Sequence, residues 1–172
     1  MNYLILAAFM ACIPLANWLI GNVGLVCVPE GPCLVPVWPG IMAPSGVLVI
    51  GLALVLRDAV QDRLGTLWAI GAIVAGALLA GFVAPPALVV ASAAAFLLSE
   101  LADLAVYTPL RRKGLAWAVL LSGLAGAVVD SALFLWLAFG SLDFVTGQIV
   151  GKLYASIAVA AFFALRARRA LA

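Results

Sequence analysis

The sequence predicts an all-α polytopic membrane protein of six transmembrane helices with both termini cytoplasmic, and three observations carry that prediction. Hydrophobic residues make up 67% of the 172 and charged residues 9%, with a mean hydropathy of +1.28; a soluble domain has roughly 25% charged residues. Apolar runs recur that are long enough to cross a hydrocarbon layer of about 30 Å, where the backbone must satisfy its own hydrogen bonds and therefore coils into helices. Lysines and arginines fall in alternate short loops, the pattern that orients a membrane protein. A net charge of +2 spread over that rim points to no nucleic-acid partner.

The first run, Asn2 to Ile20, lacks the basic segment of a signal peptide and is long enough to span, so it is read as the first helix. Cys12 within it is an ordinary core residue. The longest connection follows, Gly21 to Gly40, with Pro29, Pro32, Pro36 and Pro39. Val26, Val28, Leu34, Val35, Val37 and Trp38 make it too apolar for free solvation. It is expected to fold back over the bundle as a lid or plug, or else to lie at the membrane surface with Trp38 as an anchor. Cys27 and Cys33 bracket VPEGP in this loop, on the side opposite the basic residues. An oxidising compartment would permit a disulfide there; two free thiols are the alternative.

Span two is expected from Ile41 to Leu56, with a polar extension to Leu64, and span three from Leu67 to Val83. The break Ala84-Pro85-Pro86 separates it from span four, Pro86 to Val106; span five covers Leu115 to Phe139 and span six Gly147 to Leu165. Arg57, Arg63, Arg111, Arg112, Lys113, Arg166, Arg168 and Arg169 then lie on one side, and Glu30 and Asp143 on the other. No linker divides the chain, so residues 1–172 are expected to form one domain. Small residues at four-residue spacing, Ala72, Gly76 and Ala80 in span three and Ser122, Gly126 and Asp130 in span five, let helix backbones approach closely.

Ionisable groups inside the spans are the chemically informative residues, because a charge at mid-membrane costs at least about 2.5 kcal/mol unless it faces the bundle interior. Ser92, Phe96, Glu100, Asp103 and Tyr107 form one stripe on span four. The alternative for Asp103 and Tyr107 is a structural ion pair at the interface near Arg111. Asp130 is the most secluded acid. Lys152 either snorkels to the surface or neutralises one interior acid, and the sequence does not say which. Asn17 and Gln148 could add amide donors and acceptors. Asp58 and Asp62, one turn apart, could pair with Arg57 and Arg63 or hold a divalent metal, as in membrane enzymes acting on diphosphates. The chain has no histidine, which removes imidazole-based catalysis.

Carboxylates, amides, a lysine and aromatic rings suit a flat, nitrogen-rich heterocycle. A carboxylate accepts two parallel N–H bonds from a guanine-like edge while an aromatic face stacks on the ring. Carboxylates could equally serve as proton-relay groups.

Taken in order, Asn17, the segment LRDAVQDRLG, the segment LLSELADLAVYTPLRRKG, the segment SGLAGAVVDSALFLWLAFG and the Lys of IVGKLYASI resemble the queuosine precursor transporter family, formerly grouped with vitamin uptake transporters. The resemblance covers Asn17 to Ser156. It implies import of a 7-deazaguanine compound such as 7-cyano-7-deazaguanine or its aminomethyl relative, with no enzymatic activity and no cofactor. It also implies that Asn17, Asp58, Glu100, Asp103, Asp130 and Lys152 occupy the family's polar positions; Phe96 and Tyr107, from the stripe on span four, complete the expected binding residues. The family position matching Glu100 is often Gln, so an acid here bears on substrate or proton coupling. Three other readings stand beside it: the substrate-binding subunit of an energy-coupling-factor transporter, a magnesium-dependent intramembrane enzyme on lipid diphosphates, and a structural protein with ion-paired acids. The expected partners are the small molecule and membrane lipid, with a homodimer or energy-coupling subunits as further candidates.

Overall fold

The computed structural model describes residues 2–29 and 31–171, and the side chains of these except Asn2, Ala87 and 166–171. Glu30 and the side chains of Arg166, Arg168 and Arg169, used above to orient the chain, lie outside the described residues. Six long helices form the body: α1 (Asn2–Asn22), α2 (Val47–Leu64), α3 (Thr66–Val83), α4 (Val89–Leu110), α5 (Leu115–Phe139) and α6 (Val145–Leu171). A 3₁₀ turn (Pro86–Leu88) precedes α4.

Five of these helices, all but α2, are long and apolar enough to cross a membrane. Large apolar side chains such as Leu78, Phe82, Val90 and Trp117 stand on their outer faces, with Phe82 89% exposed, a surface suited to lipid. The chain is a multi-pass membrane protein. Helix α2 departs from the expected apolar span because it carries Arg57, Asp58, Asp62 and Arg63. It touches all five other helices, so it lies at the centre of the bundle, where Arg57, Asp58 and Gln61 are buried among protein groups.

Span two was expected to begin at Ile41, but Ile41–Pro44 is a strand and the helix starts at Val47. The long connection holds a three-stranded antiparallel sheet, β1 (Val26–Cys27), β2 (Cys33–Trp38) and β3 (Ile41–Pro44), in the order β1-β2-β3. Only the last residues of β2 alternate as a strand does, with Val37 buried between the exposed Pro36 and Trp38, while Cys33 and Leu34 at its start are both buried. The prolines masked this pattern. Strand β1 pairs only with Cys33 and Leu34, so Pro36 removes no ladder bond on that side. Cys27 and Cys33 are joined by a disulfide. Val37, Ala43 and Val47 pack together, and the Tyr154 hydroxyl donates to the Val37 carbonyl, which ties the sheet to α6.

Helices in lipid gain little from the hydrophobic effect and depend on close packing. One cluster joins Phe9 and Ile13 of α1, Val60 of α2, Ile73 of α3 and Phe96 of α4. At Gly76 a Cβ would stand 2.7 Å from Cε1 of Phe96 and 2.9 Å from Cδ1 of Ile13. The Ala72, Gly76, Ala80 stripe is therefore used within this chain, packed on α1 and α4. We expect Gly76→Ala to lower stability by about 1–3 kcal/mol through overpacking, read as the thermal unfolding midpoint in detergent. Glycines also set two helix ends: Gly65 (φ +96°) breaks α2 from α3, and Gly140 (φ +64°) closes α5 in a left-handed cap bonded to the Trp136 carbonyl.

Candidate functional site

Lys152 lies two turns into α6 and is 1% exposed, so it does not snorkel. Its Nζ is 2.6 Å from Oδ2 of Asp130, donates to Oγ of Ser131 at 2.8 Å, and donates to Oε1 of Gln148. Gln148 sits one turn earlier on α6, and Asp130 and Ser131 are neighbours on α5. All three ammonium hydrogens are thereby placed, the condition under which a buried ion pair is tolerated. Oδ1 of Asp130 faces Oγ of Ser99 at 3.5 Å.

This ion pair lines a cavity that is partly open at its mouth. Every helix contributes to its wall: Ile13 and Asn17 from α1, Val47 and Ile50 from α2, Ala80 from α3, Ser92 and Phe96 from α4, Asp130 and Phe134 from α5, and Gln148 and Lys152 from α6. Pro44 of β3 also reaches it. The wall is thus apolar and aromatic with a few polar groups. Asn17 donates to the Ile13 carbonyl at 3.0 Å, which fixes its amide one turn along α1.

A second polar group lies behind this wall. Arg57 is fully buried, with Nη2 2.9 Å from Oδ1 of Asp58 and bonded to Oδ1 of Asp103, and Nε 3.3 Å from Oε2 of Glu100. Its Nη1 donates to Gln61 at 3.1 Å, and its guanidinium carbon lies 5.5 Å from the Tyr107 ring centroid. Gln61 donates on to Thr108 at 2.9 Å. The Tyr107 hydroxyl donates to Asp62 at 2.6 Å, and Asp62 pairs with Arg111 at 3.0 Å. That last contact places the α2–α3 and α4–α5 junctions at the same end of the bundle.

The structure divides the eight residues that sequence reasoning grouped together. Asn17, Phe96, Asp130 and Lys152 line the cavity; Asp58, Glu100, Asp103 and Tyr107 surround Arg57 and do not. Arg57 itself was counted among the rim cations, which burial corrects. The signal that could have found it is charge balance, since Glu100 and Asp103 inside a span need a cation nearby and Arg57 stands beside Asp58. Asp58 and Asp62 do not act as a pair either: Asp58 meets Arg57 and Ser122, while Asp62 meets Tyr107 and Arg111. Ser131 and Phe134 also belong to the site, the one bonded to Lys152 and the other on the cavity wall.

A sequence model for the family described as Putative vitamin uptake transporter matches residues 41–166. No curated protein and no solved structure matches the chain. The matched segment runs from β3 into α6 and carries both polar groups apart from Asn17, and the chain belongs to this vitamin uptake transporter family, which is also the family of the queuosine precursor transporters.

Proposed function

We propose that the chain imports a queuosine precursor, a 7-deazaguanine such as 7-cyano-7-deazaguanine, across a bacterial inner membrane, with both termini cytoplasmic. The observation that carries this reading is the chemistry of the cavity: one carboxylate, one ammonium and two amides set among Phe96, Phe134 and aliphatic side chains. A guanine-like ring presents a ring N–H and an exocyclic amine on one edge, and Asp130 is the acceptor in the wall suited to both. Gln148 and Asn17 supply complementary amide groups. Lys152 pairs with Asp130 at 2.6 Å, and Phe96 and Phe134 supply aromatic rings for stacking. The sheet, drawn to α6 by Tyr154, covers the same end of the bundle as the cavity, as expected of an outward gate.

Stacking on an aromatic ring contributes about 1–3 kcal/mol per base. Phe96→Ala should therefore raise the half-saturating substrate concentration for uptake by roughly tenfold or more, measured on the fraction that folds, since the same ring packs in the cluster with Phe9 and Ile13. The test of the reading is the queuosine content of tRNA in cells that cannot make the precursor and are fed it at low concentration. Restoration by the wild-type chain alone supports import. No restoration, with insertion into the membrane verified, contradicts it, and restoration only with added ATPase subunits assigns the chain to the energy-coupling class instead.

A further inference from the structure

Inside the bundle the chain places four carboxyl groups, Asp58, Glu100, Asp103 and Asp130, against two cations, Arg57 and Lys152. Lys152 is matched by Asp130, which leaves Arg57 facing three acids. Two negative charges are then unbalanced in a site from which water is largely excluded, a state that low dielectric disfavours strongly. The hydrogen bonds point the same way. Oδ2 of Asp103 is buried with no hydrogen-bond partner among the described residues, and the one charged contact of the buried Oδ1 of Asp58 is Nη2 of Arg57, which Asp103 also holds. Both carboxylates converge on one guanidinium nitrogen, so an O–H on either would supply the missing donor.

We propose that Asp58, Glu100 and Asp103 around Arg57 form a proton-binding site that couples entry of the substrate to entry of a proton. The inference rests on the import reading above. The proton arrives from water on the outer side, is held as a carboxyl O–H in the cluster, and leaves to cytoplasmic water; no other bond changes. The route is built from side chains on the page. Asp130 of α5, on the cavity wall, meets Ser99, whose neighbour on α4 is Glu100. Beyond the cluster, Tyr107 and Asp62 lead to Arg111 at the end of the bundle. The titratable groups facing the site are Cys12 on α1, Arg57, Asp58 and Asp62 on α2, Glu100, Asp103 and Tyr107 on α4 and Asp130 on α5, the last paired with Lys152 of α6; α3 carries none. A metal cation fits this site poorly, because Arg57 already fills the space between the carboxylates and hard cations such as calcium take about six to eight oxygens.

The test uses the full chain in proteoliposomes with radiolabelled 7-cyano-7-deazaguanine. With equal pH on both sides the label should exchange, and with the interior one pH unit more alkaline it should accumulate about tenfold for one proton per ring. Asp58→Asn and Glu100→Gln, neither of which lines the cavity, should keep exchange and lose the pH-driven accumulation. Infrared spectra of the purified protein at neutral pH should show a protonated-carboxyl C=O band that weakens in each variant. That readout needs no substrate. Exchange without pH-driven accumulation, accumulation driven by sodium in place of protons, or absence of the infrared band overturns the proposal. Absence of exchange overturns the import reading and the coupling with it, while the infrared band still decides whether the cluster holds a proton.

Discussion

Arg57→Met should leave little folded protein in the membrane, whereas Arg63→Met should fold as the wild type does. Both arginines sit in the C-terminal half of α2, and the positive-inside rule treats them alike. The structure does not: Arg63 is exposed, and Arg57 is the cation against which Asp58, Glu100 and Asp103 are packed. Removing one partner of a buried ion pair costs about 3–5 kcal/mol, because the remaining charge is left without compensation. Three acids share this partner, and a typical domain has only about 5–15 kcal/mol in total. The effect is measured as the yield of monodisperse protein in detergent and its unfolding midpoint. Adding Asp103→Asn to Arg57→Met should recover part of the loss, since one of the stranded charges is then absent.

Lys152→Met is expected to remove uptake almost completely, by at least about a hundredfold, and to destabilise the chain by about 3–5 kcal/mol. Asp130 would lose its partner at 2.6 Å, and Ser131 and Gln148 would lose the donor that holds them. The double change Asp130→Asn with Lys152→Met separates the two effects. It removes both charges, so the unfolding midpoint should return toward that of the wild type while uptake stays lost. Recovery of uptake in the double variant would make the pair structural filler and take it out of substrate recognition.

Much of this architecture was legible in the sequence because the membrane imposes it. Apolar runs gave α1, α3, α4 and α5 to within a few residues at each end, as well as the start of α6, which runs on past the expected Leu165 to Leu171, and the stripe from Ser92 to Tyr107 is buried along α4 as its spacing implied. Two things were not legible. Strands β2 and β3 were hidden by Pro36 and Pro39, which read as breakers until pairing shows that only one flank of Pro36 needs a ladder. The division of the polar residues into two sites was hidden as well. A helical stripe shows which residues share a face, but Phe96 and Asp103 on that face lie about two turns apart, and what each meets depends on which part of α2, α5 or α6 lies opposite. Arg57 is the clearest case: basic residues near helix ends usually mark the cytoplasmic rim, and only the acids crowded around this one show that it points inward.

The central claim is that the cavity containing Asp130 and Lys152 receives a planar, nitrogen-rich ring. Equilibrium binding of 7-cyano-7-deazaguanine to the purified protein, compared among wild type, Asp130→Asn and Glu100→Gln, tests it most directly. The account predicts saturable binding by the wild type, a loss of at least about tenfold in Asp130→Asn and near-normal affinity in Glu100→Gln. Unchanged affinity in Asp130→Asn, with binding abolished in Glu100→Gln, would contradict it and move the substrate to the Arg57 cluster.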